Sequence, residues 1–325
     1  MNYKSIDYGD IDAIIFDIDG VLVNVDDSYN QTIEKTIQYI LKTNFNIQEK
    51  LDFPIKRLVS RFRHTGGFNN DIDTTYSIIL ITIFCRLITK MDSSKVFGFF
   101  EELLKRIDDR GIISIERELE KLGNIEEIKS QLDYPNHDSI ITTVFNEILY
   151  GPDLFKKQFK RNPKYYFDIP LLKNDVILIK EETIIKIREQ FDGKMVLISG
   201  RSKIASDFTL NKIIQHFIKD ACIFLEDEKR EYSKPNSYAL HKVFNQLKIK
   251  KAVYVGDSIE DLLMVKKFES ETNDKKIIFF GIYGKGESLE ESEELKELFK
   301  RKGADLLIEN VNDIPNILNN TKKII

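Results

Sequence analysis

Two aspartates close an apolar run near the start of the chain: residues 14–23 read IIFDIDGVLV, which delivers Asp17 and Asp19 and then a glycine. Three later stretches also end in groups able to do chemistry. MVLISGRSK supplies Ser199 and Gly200, EYSKPNSYAL supplies Lys234, and VYVGDSIEDLL supplies Asp257, Ser258 and Asp261. Carboxylates brought together repel unless a cation sits among them, and oxygen-only ligands without His or Cys select a hard ion such as Mg2+. The lysine, the hydroxyl and a backbone amide make sense around a phosphoryl group, whose oxygens take ammonium, hydroxyl and amide donors. An aspartate in that company can act as the nucleophile, through an aspartyl-phosphate. A second acid two residues on would face away if the strand continued. Gly20 permits a turn, so Asp19 can face the same phosphate, protonate the leaving oxygen and then deprotonate the attacking water.

Such groups converge only if something aligns them, and the carboxyl ends of parallel strands do so. Short β-branched runs that stop at Gly, Asp or Ser lie at 13–16, 195–198, 252–255 and 277–280, with weaker ones at 221–225 and 304–308. Helical patterns separate them, so the chain predicts an α/β body around a parallel sheet. One of those helices is marked by Ser288 with Glu291 as a capping box and by Gly303 as the stop. Between the first run and residue 168 the spacing turns helical: Ile33, Ile37, Ile40 and Leu41 share one helix face, and further helices are expected near 76–90, 94–108, 113–131 and 138–149. The expectation is a Rossmann-like α/β core, residues 1–23 and 168–325, with an inserted all-helical domain, residues 24–167. Pro163 and Pro170 mark the return.

Taken in order, Asp-x-Asp-Gly-Val-Leu, a strand-end Ser, Lys-Pro and Gly-Asp-Ser-x-x-Asp resemble the four motifs of the haloacid dehalogenase superfamily. The helical insertion after the first motif is similar to the cap of its phosphatase-like subfamily, though longer than many, and HTGGFNND, residues 64–71, is similar to one branch of it. The resemblance implies that Asp17 is nucleophile and metal ligand, Asp19 the general acid/base whose backbone carbonyl also holds Mg2+, and Asp257 the second carboxylate on the metal. Ser199, the Gly200 amide and Lys234 would hold phosphoryl oxygens, while Asp261 and Ser258 support the acidic shell. It implies a Mg2+-dependent phosphatase acting on a small phosphorylated metabolite. A phosphomutase uses the same intermediate and is the alternative. A phospho-aspartate receiver and a quiescent phosphate-binding protein are the non-enzyme readings; a receiver carries no large insertion after its first strand, and intact Asp17 and Asp19 speak against quiescence.

Single residues also have plainer readings. Ser199 could simply cap a helix, and Lys234 could be a surface lysine. His137, His216 and His241 read as surface or packing residues. The segment RFRHTGGFNND is basic and glycine-containing, so Arg63, His64 and Asn70 are candidates for contacting substrate if it closes over the site, and a plain loop otherwise.

Composition narrows the partners. The formal net charge of −4, with 31% charged and 42% hydrophobic residues, describes a globular chain without the basic excess that nucleic acid or anionic membrane requires. Cys85 and Cys222 stand alone, with no metal-ligand spacing, which fits a reducing cytoplasm. The start MNYKSIDYGDID has no apolar signal core, and the apolar window at 77–85 is too short to span a bilayer. Nothing in the sequence indicates the oligomeric state.

Overall fold

The structure, a computed structural model, describes residues 11–48, 54–68, 70–284 and 289–322. Contacts divide the chain into two compact units, residues 26–174 and residues 1–25 with 175–325. Strand β1 (Ala13–Phe16) begins the second of these, and a two-residue strand β2 (Val23–Asn24) leads out of it.

The inserted unit contains only helices among its described residues: α1 (Asp26–Phe45), α2 (Ile55–His64), α3 (Asp71–Ile83), α4 (Ser93–Leu104), α5 (Ile112–Glu120), α6 (Glu126–Leu132) and α7 (Ile140–Phe159). In α1, Asp26 and Asp27 sit in the first turn and Lys42 in the last, which suits the helix dipole. Its Ile33, Ile37, Ile40 and Leu41 are buried, as their spacing predicts. The helix expected at 113–131 is two, α5 and α6, interrupted around Gly123. A side chain at Gly123 would press on Ile88 and Phe84 at 3.1 and 3.2 Å. Leu171 and Leu172 are buried, and the turn that holds them packs on α1 and α7, which assigns 171–174 to this unit.

The chain returns through β3 (Val176–Ile177), which pairs antiparallel with β2, so exit and re-entry run side by side. There follow α8 (Glu181–Gln190), β4 (Met195–Ser199), α9 (Lys203–Leu210), β5 (Ile223–Phe224), α10 (Tyr238–Leu247), β6 (Lys251–Gly256), α11 (Ile259–Glu271), β7 (Lys276–Ile282), α12 (Leu289–Lys302), β8 (Leu306–Ile308) and α13 (Ile314–Lys322). Gly303 ends α12 at φ 77°, whereas Ser288 lies outside the described residues. No described helix is long and apolar enough to cross a membrane.

Six strands form a parallel sheet in the order β5-β4-β1-β6-β7-β8. Strands buried on both faces read as continuous apolar runs, and alternation splits each run between two cores. Ile14, Phe16, Leu197 and Val255 join one core, while Ala13, Ile15, Ile198 and Tyr254 join the other. Because β1 lies between β4 and β6, the carboxyl ends that carry Asp17, Ser199 and Asp257 are neighbours.

Candidate active site

Asp17 follows β1 directly. Its amide donates to the Val255 carbonyl at 2.9 Å, which continues the sheet register one residue beyond the strand, and its Oδ1 accepts from the Ile18 amide at 2.7 Å. The chain then turns: the Ile18 carbonyl accepts from the amides of Val21, Leu22 and Val23, and Gly20 takes φ 71°. That conformation costs a residue with a Cβ energy, which accounts for the glycine behind the second acid.

On the far side of β1, the first turn of α11 is a capping box. Ser258 Oγ accepts from the Asp261 amide at 3.2 Å and donates to Asp261 Oδ2 at 2.7 Å. Asp261 Oδ1 receives Lys234 Nζ at 2.7 Å and the Tyr254 hydroxyl at 2.8 Å. Lys234 Nζ also lies 2.9 Å from Asp17 Oδ2. One ammonium thus joins two buried carboxylates, and carboxylate oxygens of Asp17, Asp257 and Asp261 all lie within 4.8 Å of one another. An oxygen-only, buried donor set of this kind fits a hard divalent cation. Asp261, already held by three side chains, serves best as the post that fixes Lys234.

The electrostatics follow from crowding. Burial first, and then the charges of Asp261, Asp257 and Asp19, push Asp17 up to about 8, with Lys234 pulling the other way. Burial also works to raise Asp261, but the Lys234 charge and the hydrogen bonds from Lys234, Ser258 and Tyr254 hold it below the ordinary carboxylate range. For Lys234 burial opposes the charge, yet Asp17 and Asp261 outweigh it and keep the ammonium protonated. Burial and the neighbouring carboxylates push the Tyr254 phenol well above its usual value, so it stays a donor.

Ser199, fully buried, ends β4, and its Oγ accepts from the Arg201 amide at 3.3 Å. The helix cap belongs to Ser202 instead, whose Oγ accepts from the Ala205 amide at 3.1 Å. Glu226 and Asp227 take the amides of Ser202 and Lys203 at 3.0 and 2.7 Å. Carboxylates therefore take up the amides at the start of α9. Gly200 is exposed, and nothing lies within 4 Å of where its Cβ would stand.

Two features went unread in the sequence. Arg201, 1% exposed, places Nε 2.5 Å from Asp19 Oδ1, and Tyr254 supports Asp261 from within a buried strand. The available signals were an arginine directly after Ser-Gly at a strand end, and a phenol inside an apolar run, where a buried hydroxyl needs a partner.

Among the described residues of 61–71, helix ends and a close backbone crossing stand where a plain loop is the alternative reading. Arg61, Arg63 and His64 belong to the last turns of α2; the His64 side chain lies outside the described residues. Arg63 pairs with Asp71 at 2.9 Å, and Asn70 caps α3 by accepting from the Ile72 amide at 2.8 Å. A Cβ at Gly67 would come within 2.4 Å of the Gly111 amide nitrogen, so this glycine serves a close backbone crossing. His241 is a packing residue, 4.8 Å from the Phe268 ring and 2.8 Å from Glu271.

Comparison with known proteins bears on the fold and the family. The phosphatase Tt82 from Thermococcus thioreducens is similar in structure at a TM-score of 0.55 and 21% identity, over 88% of this chain and 98% of that one. A structural-genomics target is similar at a TM-score of 0.64 and 15% identity, over 96% and 100%. At these identities the likeness is one of fold. No curated protein matches. The family model described as haloacid dehalogenase-like hydrolase matches residues 11–269, which include Asp17, Asp19, Ser199, Lys234, Asp257 and Asp261. With the parallel sheet and its acidic strand ends, that match makes the chain a member of the haloacid dehalogenase-like hydrolases.

Proposed function

We propose that this hydrolase is a Mg2+-dependent phosphatase that cleaves a small phosphorylated metabolite through an aspartyl-phosphate on Asp17. The observation that carries this reading is the placement of Lys234 Nζ between Asp17 and Asp261, 2.9 and 2.7 Å away, beside Asp257. A carboxylate nucleophile, a cation for phosphoryl oxygens and an oxygen-only metal cluster meet at one point. Asp17, Asp257 and the Asp19 carbonyl would hold Mg2+, which offsets the charge gathered on the phosphoryl group.

In the first half-reaction an Asp17 oxygen attacks phosphorus, the bond to the leaving oxygen breaks, and Asp19 gives that oxygen a proton. In the second, Asp19 takes a proton from water as the water oxygen attacks phosphorus. The bond to Asp17 then breaks, which restores its carboxylate and releases phosphate. Ser199, the Gly200 amide and Lys234 hold the phosphoryl oxygens meanwhile. Arg63, His64 and Asn70 stay candidates for reading the leaving group.

The test is turnover of p-nitrophenyl phosphate by the purified protein with and without Mg2+, alongside Asp17→Asn. We expect phosphate release that requires Mg2+ and is abolished in the variant, because an amide cannot form the acyl-phosphate. Near-normal turnover by Asp17→Asn would sink the mechanism.

A further inference from the structure

Arg201 is the bulkiest side chain that the described residues enclose, at 1% exposure. In its guanidinium, Nε lies 2.5 Å from Asp19 Oδ1, Nη1 donates to Thr209 Oγ1 at 2.9 Å, and Nη2 makes an ion pair with Asp175 Oδ2 at 2.8 Å that lacks hydrogen-bond geometry. Thr209 in turn donates to the same Asp175 oxygen at 2.7 Å. A buried guanidinium needs a buried counter-charge, and Asp175, with its side chain 1% exposed, already provides one. Asp19, with its side chain 31% exposed, is therefore not required for neutrality. The arrangement makes sense the other way round. Asp175 and Thr209 lock the rigid planar fork, and the fork holds one oxygen of Asp19.

We propose that Arg201, braced by Asp175 and Thr209, is a positioning residue for Asp19 as general acid and base. Nε keeps Oδ1 through both half-reactions, and the proton travels on Oδ2. It passes to the leaving oxygen as the bond from phosphorus to that oxygen breaks, and is replaced from the attacking water. Asp175 is the first residue of the α/β unit after the insertion, so the brace begins where the chain re-enters that unit. This inference rests on the roles of Asp17 and Asp19 given above.

Single-turnover measurements with enzyme in excess test it, because they isolate the first bond cleavage. The probes are p-nitrophenyl phosphate, whose leaving group needs little protonation, and glycerol 2-phosphate, whose alkoxide needs a proton. Asp19→Asn is the reference and should slow the alkyl ester by about 10²-fold more than the aryl ester, in keeping with the usual worth of general acid catalysis. Arg201→Lys and Asp175→Asn should show the same unequal loss, tenfold or more on the alkyl ester and about threefold or less on the aryl ester. Adding Arg201→Lys to Asp19→Asn should cost nothing further on the alkyl ester. Circular dichroism confirms the fold of each variant, and the lysine retains a charge beside Asp175 should Arg201→Ala fail to fold.

Equal losses on both esters in Arg201→Lys, or a further loss in the double variant, would overturn the positioning role and assign Arg201 to general structure or phosphoryl binding. If Asp19→Asn itself shows no difference between the esters, the acid–base role of Asp19 fails, and this inference with it.

Discussion

Lys234 and Asp261 form a buried ion pair, Nζ to Oδ1 at 2.7 Å, with the Asp261 side chain wholly enclosed. Lys234→Met would leave Asp261 and Asp17 facing each other without their cation. Removing one partner of a buried pair typically costs about 3–5 kcal/mol. We expect a loss of that size in urea unfolding at pH 7.5 without metal, and partial recovery on adding Mg2+. A loss below about 1 kcal/mol would show that the carboxylates escape by binding protons.

Asp257 and Asp261 should separate by their metal dependence. Asp257→Ala removes an oxygen of the cluster, so the Mg2+ concentration for half-maximal hydrolysis should rise tenfold or more. Asp261→Asn loosens Lys234 instead, and should lower turnover at saturating Mg2+ more than it shifts that concentration. Equal Mg2+ shifts in the two variants would place Asp261 on the metal as well.

The stability of the metal-free protein should fall as pH rises from about 4 to about 8. Asp17 is pushed up to about 8 in the folded state, so the fold binds a proton there that the unfolded chain, with an ordinary carboxylate, has already released. A raised acid favours the folded state at low pH and loses that contribution through this window. Glu260 and Glu269, also raised first by burial, act in the same direction, whereas the lowered Asp261 contributes a rise confined below the ordinary carboxylate pKa. Under the proposed function Mg2+ would select the ionised cluster, so thermal unfolding with Mg2+ should show a flatter slope. A metal-free melting temperature that climbs between pH 5.5 and 8 would contradict the assignment.

Gly256 ends β6 where a Cβ would stand 2.6 Å from Asp261 Cβ and 2.7 Å from Oδ2. Gly256→Ala should therefore displace Asp261, cost about 1–3 kcal/mol in denaturant unfolding as overpacking does, and reduce activity along with it. Unchanged stability would mean that α11 moves aside freely.

Asn70→Ala removes the α3 cap and should destabilise the chain by about 1 kcal/mol, while Asn70→Asp retains an acceptor and should lose little. Arg63→Ala breaks a partly exposed pair with Asp71 and should cost no more than about 1 kcal/mol. If Asn70→Asp keeps its stability but loses kcat/KM on a metabolite substrate, Asn70 has a substrate role beyond the cap.

Much of the site could be read from local pattern. Apolar runs that stop at Asp, Ser or Gly mark the ends of buried parallel strands, and three such ends pointed to Asp17 with Asp19, to Ser199, and to Asp257 with Asp261, whereas Lys234, in the connection between β5 and α10, was marked only by Pro235 and its place in the order. The helical insertion was legible from the spacing of Ile33, Ile37, Ile40 and Leu41, because helix faces repeat over a few residues. What the sequence by itself could not determine were pairings across long stretches of chain. The Gly67 and Gly111 crossing resembles a loose loop until the two backbones are seen to touch. Which acid holds Lys234, and that Tyr254 braces it, depends on the register of β6 and the placement of α11. Arg201 reads as one more charged residue after a strand. Only packing encloses it and brings Asp175 and Thr209 to one end of its guanidinium and Asp19 to the other, because burial and partner choice belong to the folded chain as a whole.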